Sequence, residues 1–350
     1  MAGDALTEPV VIWGAGAIGG TLGAYWARAG VPVLLVDLDA DHVEACRAQG
    51  LQIEGPIDTF TQVIPAVAPD ELAGTYGRIV LAVKAHQTVD ALAALKPHLR
   101  EDGYVLSAQN GLNEITIAQT IGNERTMGCF VNFGADWMGP GRILYGNRGA
   151  IVVGEIDGRV RDRTRNMFEL LKQFDSDAVL TEDIWGYLWG KLVYGAMLFG
   201  TALTGDPMSV NFADPQRKPV WQALGREVVS VAHARGVRPR GFGEFRPEAF
   251  APGAPKSDAD RVIAWLADYT SQTAKTHSGI YRDLAVRRRR TEVDAQIGII
   301  AKLAREQGIP TPALDHLVAL IHDVEDGQRD LSLDTLKELI ATCKSVSTTV

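Results

Sequence analysis

The chain is predicted to fold as a parallel α/β sheet domain of the Rossmann type over residues 1–180, followed by an all-α domain over residues 181–350. Three observations predict it. An apolar, β-branched run, Pro9-Val-Val-Ile-Trp13, ends directly in the turn Gly14-Ala-Gly-Ala-Ile-Gly19. The first half then alternates short β-rich runs with helical segments, the βαβ rhythm of a parallel sheet. From about residue 181 onward the apolar spacing lengthens to helical periods.

Each element follows from its residues. The first run has the length and branching of a buried parallel strand, and residues 18–29, small and apolar without proline, suit a helix packed on a sheet, which Gly30 stops. The three glycines answer different needs. Gly14 makes the tight turn, Gly16 lets the backbone approach a pyrophosphate, and Gly19 allows close helix–strand packing. Ala15, Ala17 and Ile18 complete the turn, whose helix N-terminus offers N–H groups to an anion. A second strand, residues 31–36, delivers Asp37 about 20 residues beyond the glycines, where a carboxylate accepts from an adenosine ribose 2′-OH. The same carboxylate repels a 2′-phosphate, and Leu38-Asp-Ala-Asp41 contains no arginine, so NAD is expected over NADP. Further strands are expected at residues 78–83, 103–107, 126–133 and 151–153. In the second domain helices are expected at 184–204, 219–235, 258–277, 282–306 and 312–326. The Gly-, Pro- and Arg-rich stretch 236–256 reads as a surface loop, with a lid as the alternative.

Composition narrows the function. The net charge of −8 disfavours nucleic acid and anionic membranes as general partners. Cys46, Cys129 and Cys343 are scattered without metal-ligand spacing and read as reduced thiols of a cytoplasmic protein, with no metal expected. The longest apolar stretch, residues 192–203, is too short to span a bilayer. The first residues lack the basic-then-apolar pattern of a signal peptide.

The polar residues with chemical potential sit at strand ends and in one apolar helix. Lys84 ends an apolar strand, where a parallel sheet faces its ligand crevice, and a cation there can meet cofactor or substrate anions; a solvated strand-end lysine is the alternative. Asn110 lies in a glycine-flanked turn after another strand, and its amide can both donate and accept; a plain turn-forming asparagine competes with that reading. Lys191 sits among Trp185, Trp189, Leu192, Val193 and Leu198, where desolvation would lower its pKa toward the range useful to a general acid. Snorkelling at the helix surface is the alternative. Glu292 follows Arg287-Arg-Arg-Arg290, and helical spacing would put Arg288 and Arg289 on its face.

Six segments in order give the chain a resemblance to the ketopantoate reductase family over nearly its whole length: Gly14-Ala-Gly-Ala-Ile-Gly19, Val83-Lys-Ala-His-Gln-Thr88, Ser107-Ala-Gln-Asn-Gly-Leu112, Gly139-Pro-Gly141 with Ile151-Val-Val-Gly-Glu155, Trp189-Gly-Lys-Leu-Val193 and Thr291-Glu-Val-Asp294. The resemblance implies a Rossmann domain, a helical domain like that of 6-phosphogluconate dehydrogenase, and nicotinamide-dependent reduction of a small-molecule 2-oxo acid in the cleft between them. It assigns Lys191 as the general acid and base at the substrate oxygen. Asn110 would hold nicotinamide ribose and substrate, and Glu292 would face the substrate or ribose. It also implies a homodimer.

The departures from the family pattern bear on substrate. Where relatives that reduce ketopantoate carry asparagines four and eight positions after the lysine, this chain has Gly195 and Phe199. Where they carry a carboxylate-binding serine, the segment reads Thr276-His-Ser-Gly-Ile280, with Gly279 aligned to that serine. A site that hydrogen-bonds its substrate rejects analogues strongly, so losing such groups points to another substrate. Phe199, Met197, Trp185 and Trp189 would line a more apolar pocket, or else pack as core; His277 or an arginine would meet a carboxylate, with Ser278 beside the aligned Gly279. The expected function is hydride transfer between NAD(H) and a hydroxy acid or 2-oxo acid, or a related alcohol or carbonyl compound, other than pantoate and in the catabolic, oxidative direction. The alternatives are an NADPH-dependent 2-dehydropantoate 2-reductase and a redox sensor without catalysis.

Overall fold

The structure, a computed structural model, describes residues 8–272 and 275–347. It divides into two compact units after Ile184.

The first unit is built on twelve strands: β1 (Val10–Trp13), β2 (Val33–Val36), β3 (Leu51–Glu54), β4 (Phe60–Gln62), β5 (Ala66–Val67), β6 (Tyr76–Leu81), β7 (Leu99–Ser107), β8 (Thr126–Val131), β9 (Gly134–Gly139), β10 (Arg142–Asn147), β11 (Ile151–Glu155) and β12 (Val179–Leu180). Eight of them form one sheet in the order β12-β11-β8-β7-β6-β1-β2-β5, parallel except where β11 runs against β8. Helices cover both faces of such a sheet, so β1 and β8 are buried along their whole length and read as continuous apolar runs. Strand order reverses at β1, with β2 on one side and β6 on the other. That switch point places the ligand crevice outside the carboxyl ends of β1 and β6.

A second sheet, β4-β3-β10-β9, has no counterpart among the expected strands. It covers the helix Ala17–Arg28: a Cβ on Gly20 of that helix would lie 2.5 Å from Ile143 Cδ1 and 3.2 Å from Leu51 Cδ2. Tyr25 from the same helix meets Phe60 and Phe174 edge-on, each with ring centroids 5.1 Å apart. Aromatic contacts of this geometry add to burial in fixing the helix between the sheets.

The second unit is helical: Ile184–Thr201, Met208–Ala213, Lys218–Ala234, Lys256–Ser271, Ile299–Glu306, Pro312–Glu325 and Leu333–Ser347. Two expectations need correction. The helix expected at 258–277 ends at Ser271, and residues 273 and 274 lie outside the described residues. The helix expected at 282–306 is interrupted: a wide π turn, Arg282–Val286, is followed by an irregular arginine segment with Arg288 at φ 49°, then by a second π turn, Asp294–Gly298. Arg288 and Arg289 therefore do not share a helical face with Glu292. Arginines of this segment are paired, Arg287 and Arg289 with Asp283 and Arg290 with Glu325 and Asp326.

The stretch 236–256 is a loop anchored on the first helix of this unit. The Arg240 N–H donates to the Gly186 carbonyl at 2.7 Å, and a Cβ on Gly190 would come within 1.8 Å of the Arg240 carbonyl oxygen. Phe245 of the loop is fully buried. Backbone contact this close does not suit a lid that opens freely.

Candidate active site

At the carboxyl ends of β1 and β2 the glycine-rich turn divides by role. Gly14 has φ 98°, and a Cβ there would meet the Val83 nitrogen at 2.7 Å, so the fold itself demands glycine. A Cβ on Gly19 would lie 2.1 Å from the Gly14 carbonyl oxygen, so helix and strand approach only without a side chain. Gly16 is different. Among the described residues nothing lies within 4 Å of a Cβ placed on it, and its φ of −68° suits any residue. Protein packing therefore gives no reason for its missing side chain, whereas a pyrophosphate lying against the backbone does. Gly16, Ala17 and Ile18 form the partly exposed side of the turn, with Gly14, Ala15 and Gly19 buried behind it.

Asp37 belongs to this turn physically. Its Oδ2 accepts from the Ala15 N–H at 2.7 Å and its Oδ1 from the Asp39 N–H at 3.0 Å. The carboxylate is thereby held beside the helix N-terminus while remaining partly exposed. A residue missed in the sequence completes the support: His42, buried in the next helix, accepts the Gly141 N–H on Nδ1 at 3.0 Å. That fixes the tautomer, so its Nε2–H donates to the Ala15 carbonyl at 2.9 Å. The Gly139-Pro-Gly141 segment is thus tied to the glycine-rich turn through one imidazole.

Lys84 and Asn110 follow β6 and β7, adjacent strands whose last paired residues are Leu81 and Ser107. Lys84 is exposed at the start of a short turn, Ala85–Gln87; Asn110 is partly exposed before Gly111, whose φ is 103°. Behind this edge lies Glu114, fully buried, with neither carboxyl oxygen nor the nearby Ser107 hydroxyl in hydrogen-bonding geometry with a partner. Burial pushes its pKa up to about 7.

In the second unit the helix Ile184–Thr201 buries most of its length but leaves Trp185 near its start and, at helical spacing, Tyr187, Lys191, Tyr194, Gly195 and Leu198 partly exposed. Lys191 is thus on the accessible stripe of the helix, and not enclosed in the core as its apolar neighbours imply. One turn on, Gly195 opens space: the nearest atom to a Cβ there would be Gln296 Oε1, at 3.8 Å. Gln296 gave no signal in the sequence, because its π turn brings it there. Phe199 is fully buried, together with Met197, which supports packing over pocket lining for both.

The remaining sequence-derived residues form scaffold contacts. One nitrogen of the His277 ring meets the Gly205 carbonyl at 3.1 Å, the other the Thr276 hydroxyl at 2.9 Å, and the ring stacks on Tyr281. Both nitrogens are engaged, so in this arrangement neither offers itself to a carboxylate. Ser278 is buried and accepts the Tyr281 N–H as a helix cap. Gly279 beside it has open space around its Cβ position. Glu292 is held at the helix break by its neighbour: the Thr291 N–H and hydroxyl both donate to Glu325 Oε1 at 2.7 Å. Burial would lower the His322 pKa, yet the Glu325 and Asp294 carboxylates hold it above its usual value. Among the described residues no cluster of His, Cys, Asp or Glu is placed to hold a metal, and no helix is long and apolar enough to cross a membrane.

Comparison with known proteins agrees with this geometry. The family model "Ketopantoate reductase PanE/ApbA" matches residues 10–158, and "Ketopantoate reductase PanE/ApbA C terminal" matches 183–325. A 2-dehydropantoate 2-reductase of Mesorhizobium japonicum is 29% identical over 338 residues, covering 89% of this chain and 96% of that protein. One from Archaeoglobus fulgidus is 28% identical, covering 91% and 99%. Among solved structures, a ketopantoate reductase of the PanE/ApbA family from Ralstonia eutropha superposes with TM-score 0.76 at 26% identity, over 91% of this chain and 99% of its own. D-mandelate dehydrogenase with NADH and anilino(oxo)acetate superposes with TM-score 0.78 at 23% identity, over 91% and 99%. The chain belongs to the ketopantoate reductase family, and is a nicotinamide-dependent oxidoreductase acting on CH–OH groups.

Proposed function

We propose that this enzyme interconverts a 2-hydroxy acid and its 2-oxo acid with NAD(H), and that its substrate differs from pantoate. The observation that carries the cofactor reading is the Asp37 carboxylate, fixed to the Ala15 N–H beside the open backbone at Gly16. A carboxylate so placed accepts a ribose 2′-OH and repels a 2′-phosphate. Gly14 to Gly19 and Asp37 would hold the pyrophosphate and adenosine ribose, with Lys84 and Asn110 toward the nicotinamide half. When bound, the cofactor supplies or takes the hydride.

The chain's own groups move the proton. Lys191 gives a proton to the carbonyl oxygen in reduction and takes it from the alcohol in oxidation, a role that its partial exposure leaves open to substrate. Glu292 and Asn110 orient the substrate oxygens. The room at Gly195 and the amide of Gln296 support a substrate with different bulk and polarity from ketopantoate. D-mandelate dehydrogenase, which shares the fold, is named for an aromatic hydroxy acid. Oxidation is the favoured direction, because cellular NAD pools are mostly oxidised. We also propose a homodimer, as the ketopantoate reductase of Staphylococcus aureus is described as dimeric.

NADPH-dependent reduction of 2-dehydropantoate is the second reading, favoured by the names of the Mesorhizobium and Archaeoglobus relatives. Lys191→Ala tests the mechanism common to both: turnover should fall by about 10²-fold or more, with NADH binding retained. Unchanged turnover would remove Lys191 from the chemistry.

A further inference from the structure

Three buried polar side chains connect the two segments that carry Lys84 and Asn110. Backbone pairing of β6 with β7 ends where the Ala108 N–H donates to the Leu81 carbonyl at 2.9 Å. Beyond it, Gln109 Nε2 donates one proton to the Val83 carbonyl and the other to Thr88 Oγ1, both at 2.9 Å. The Thr88 hydroxyl donates onward to Asn113 Oδ1 at 3.1 Å, and Asn113 Nδ2 donates to the Asn110 carbonyl at 2.7 Å. Gln109, Thr88 and Asn113 are 6%, 2% and 7% exposed, so water does not compete for these bonds.

Donation runs outward from Gln109 to both ends of the chain of bonds. That chain starts at the carbonyl of the residue before Lys84 and finishes at the carbonyl of Asn110 itself. Its polarity is forced. A flipped Gln109 amide would set oxygen against the Val83 carbonyl, and a flipped Asn113 amide would set oxygen against the Asn110 carbonyl. Gln109 Oε1 is buried without a hydrogen-bond partner among the described residues, yet both protons of its Nε2 are used, and a simple turn needs none of these bonds. The bonds from Gln109 to Val83 and Thr88 and from Thr88 to Asn113 cross between the two segments, while the bond from Asn113 to Asn110 holds the second segment to itself.

We propose that Gln109, Thr88 and Asn113 are positioning residues that set the spacing of Lys84 and Asn110 for the nicotinamide half of the cofactor. This rests on the reading of Lys84 and Asn110 above. The two halves of the cofactor allow a selective test, because ADP-ribose carries the adenosine half without nicotinamide. In Thr88→Val, of equal shape but without hydroxyl, the Kd for NADH should rise about tenfold while the Kd for ADP-ribose stays within about twofold. Thr88→Ser, which keeps the hydroxyl, should restore NADH binding to within about threefold. With Lys84→Ala and Asn110→Ala both in place, Thr88→Val should cost less than about twofold, since a residue that acts only through those two side chains has nothing left to position. If Thr88→Val does not fold, Gln109→Glu measured at pH 8 serves instead, as a carboxylate cannot donate to the Val83 carbonyl.

The controls are Lys84→Ala and Asn110→Ala. Should these weaken NADH selectively while the Thr88 and Gln109 variants leave it unchanged, or weaken both ligands equally, the positioning role is refuted and the reading of Lys84 and Asn110 stands. Unchanged NADH binding in all four variants would overturn both.

Discussion

Gly16→Ala separates ligand space from protein space at the glycine-rich turn. Among the described residues the added methyl meets no atom within 4 Å, and the backbone φ of −68° accepts alanine. Reduced freedom of the unfolded chain stabilises by about 0.4–1 kcal/mol, and the weaker helix cap costs a few tenths to about 1 kcal/mol. The net lies within about 1 kcal/mol of zero, a melting shift of only about 2–4 °C in a unit of this size. Gly19→Ala forces a methyl to 2.1 Å from a backbone carbonyl and should destabilise by about 3 kcal/mol or more. Thermal unfolding and fluorescence titration with NADH read the two effects apart. Gly16→Ala should melt like the parent yet bind NADH at least tenfold more weakly, since the methyl occupies the surface a pyrophosphate needs. Parent-like affinity would refute the assignment of that open surface to the cofactor.

Three further outcomes are expected. Asp37→Ser should weaken NADH binding about tenfold and narrow the preference over NADPH, measured by titration with both cofactors. Glu114 and Glu227 are both pushed up to about 7 by burial, Glu227 while accepting the N–H groups of Ala313 and Leu314 at a helix start. A carboxyl whose folded pKa is raised binds more protons native than unfolded, so stability falls as pH rises from about 4.5 to 7, by up to roughly 3 kcal/mol each. Urea unfolding across that range should show Glu114→Gln flattening the slope; an unchanged slope would contradict the assignment. The Thr291 clamp has its own window. Glu325 is held below its usual value, so its contribution is lost as pH falls, and His322 is held above, so its contribution is lost as pH rises through its folded value. Hydrogen exchange at the Thr291 amide should be slowest between the ordinary values of 4.5 and 6.5 after correction for intrinsic rate, and the protection should drop above them.

The sheet core and the glycine-rich turn were legible because their causes are local. Continuous burial writes β1 and β8 as apolar runs, and the demands of space and conformation at Gly14 and Gly19 leave glycine as the only fit. What escaped depends on residues far apart in the chain. The second sheet pairs Arg142–Leu144 with Gln52–Glu54, nearly a hundred residues away, and neither strand carries a strong pattern alone. His42 joins Ala15 to Gly141 by folding, and Gln296 nears Gly195 only because the helix expected there breaks. At that break Arg287, Arg289 and Arg290 pair with Asp283, Glu325 and Asp326, two of which lie more than thirty residues further along the chain. Lys191 was read as enclosed because its sequence neighbours are apolar, although the helix turns it to the accessible side.

Steady-state assay at 340 nm tests the central claim most directly, using NADH and NADPH against 2-dehydropantoate and a panel of aromatic and branched-chain 2-oxo acids, with the corresponding hydroxy acids and NAD⁺ in reverse. Turnover with a 2-oxo acid other than 2-dehydropantoate, and a higher kcat/KM for NADH than for NADPH, is the predicted result. Efficient reduction of 2-dehydropantoate with NADPH preferred would contradict both the substrate and the cofactor assigned here.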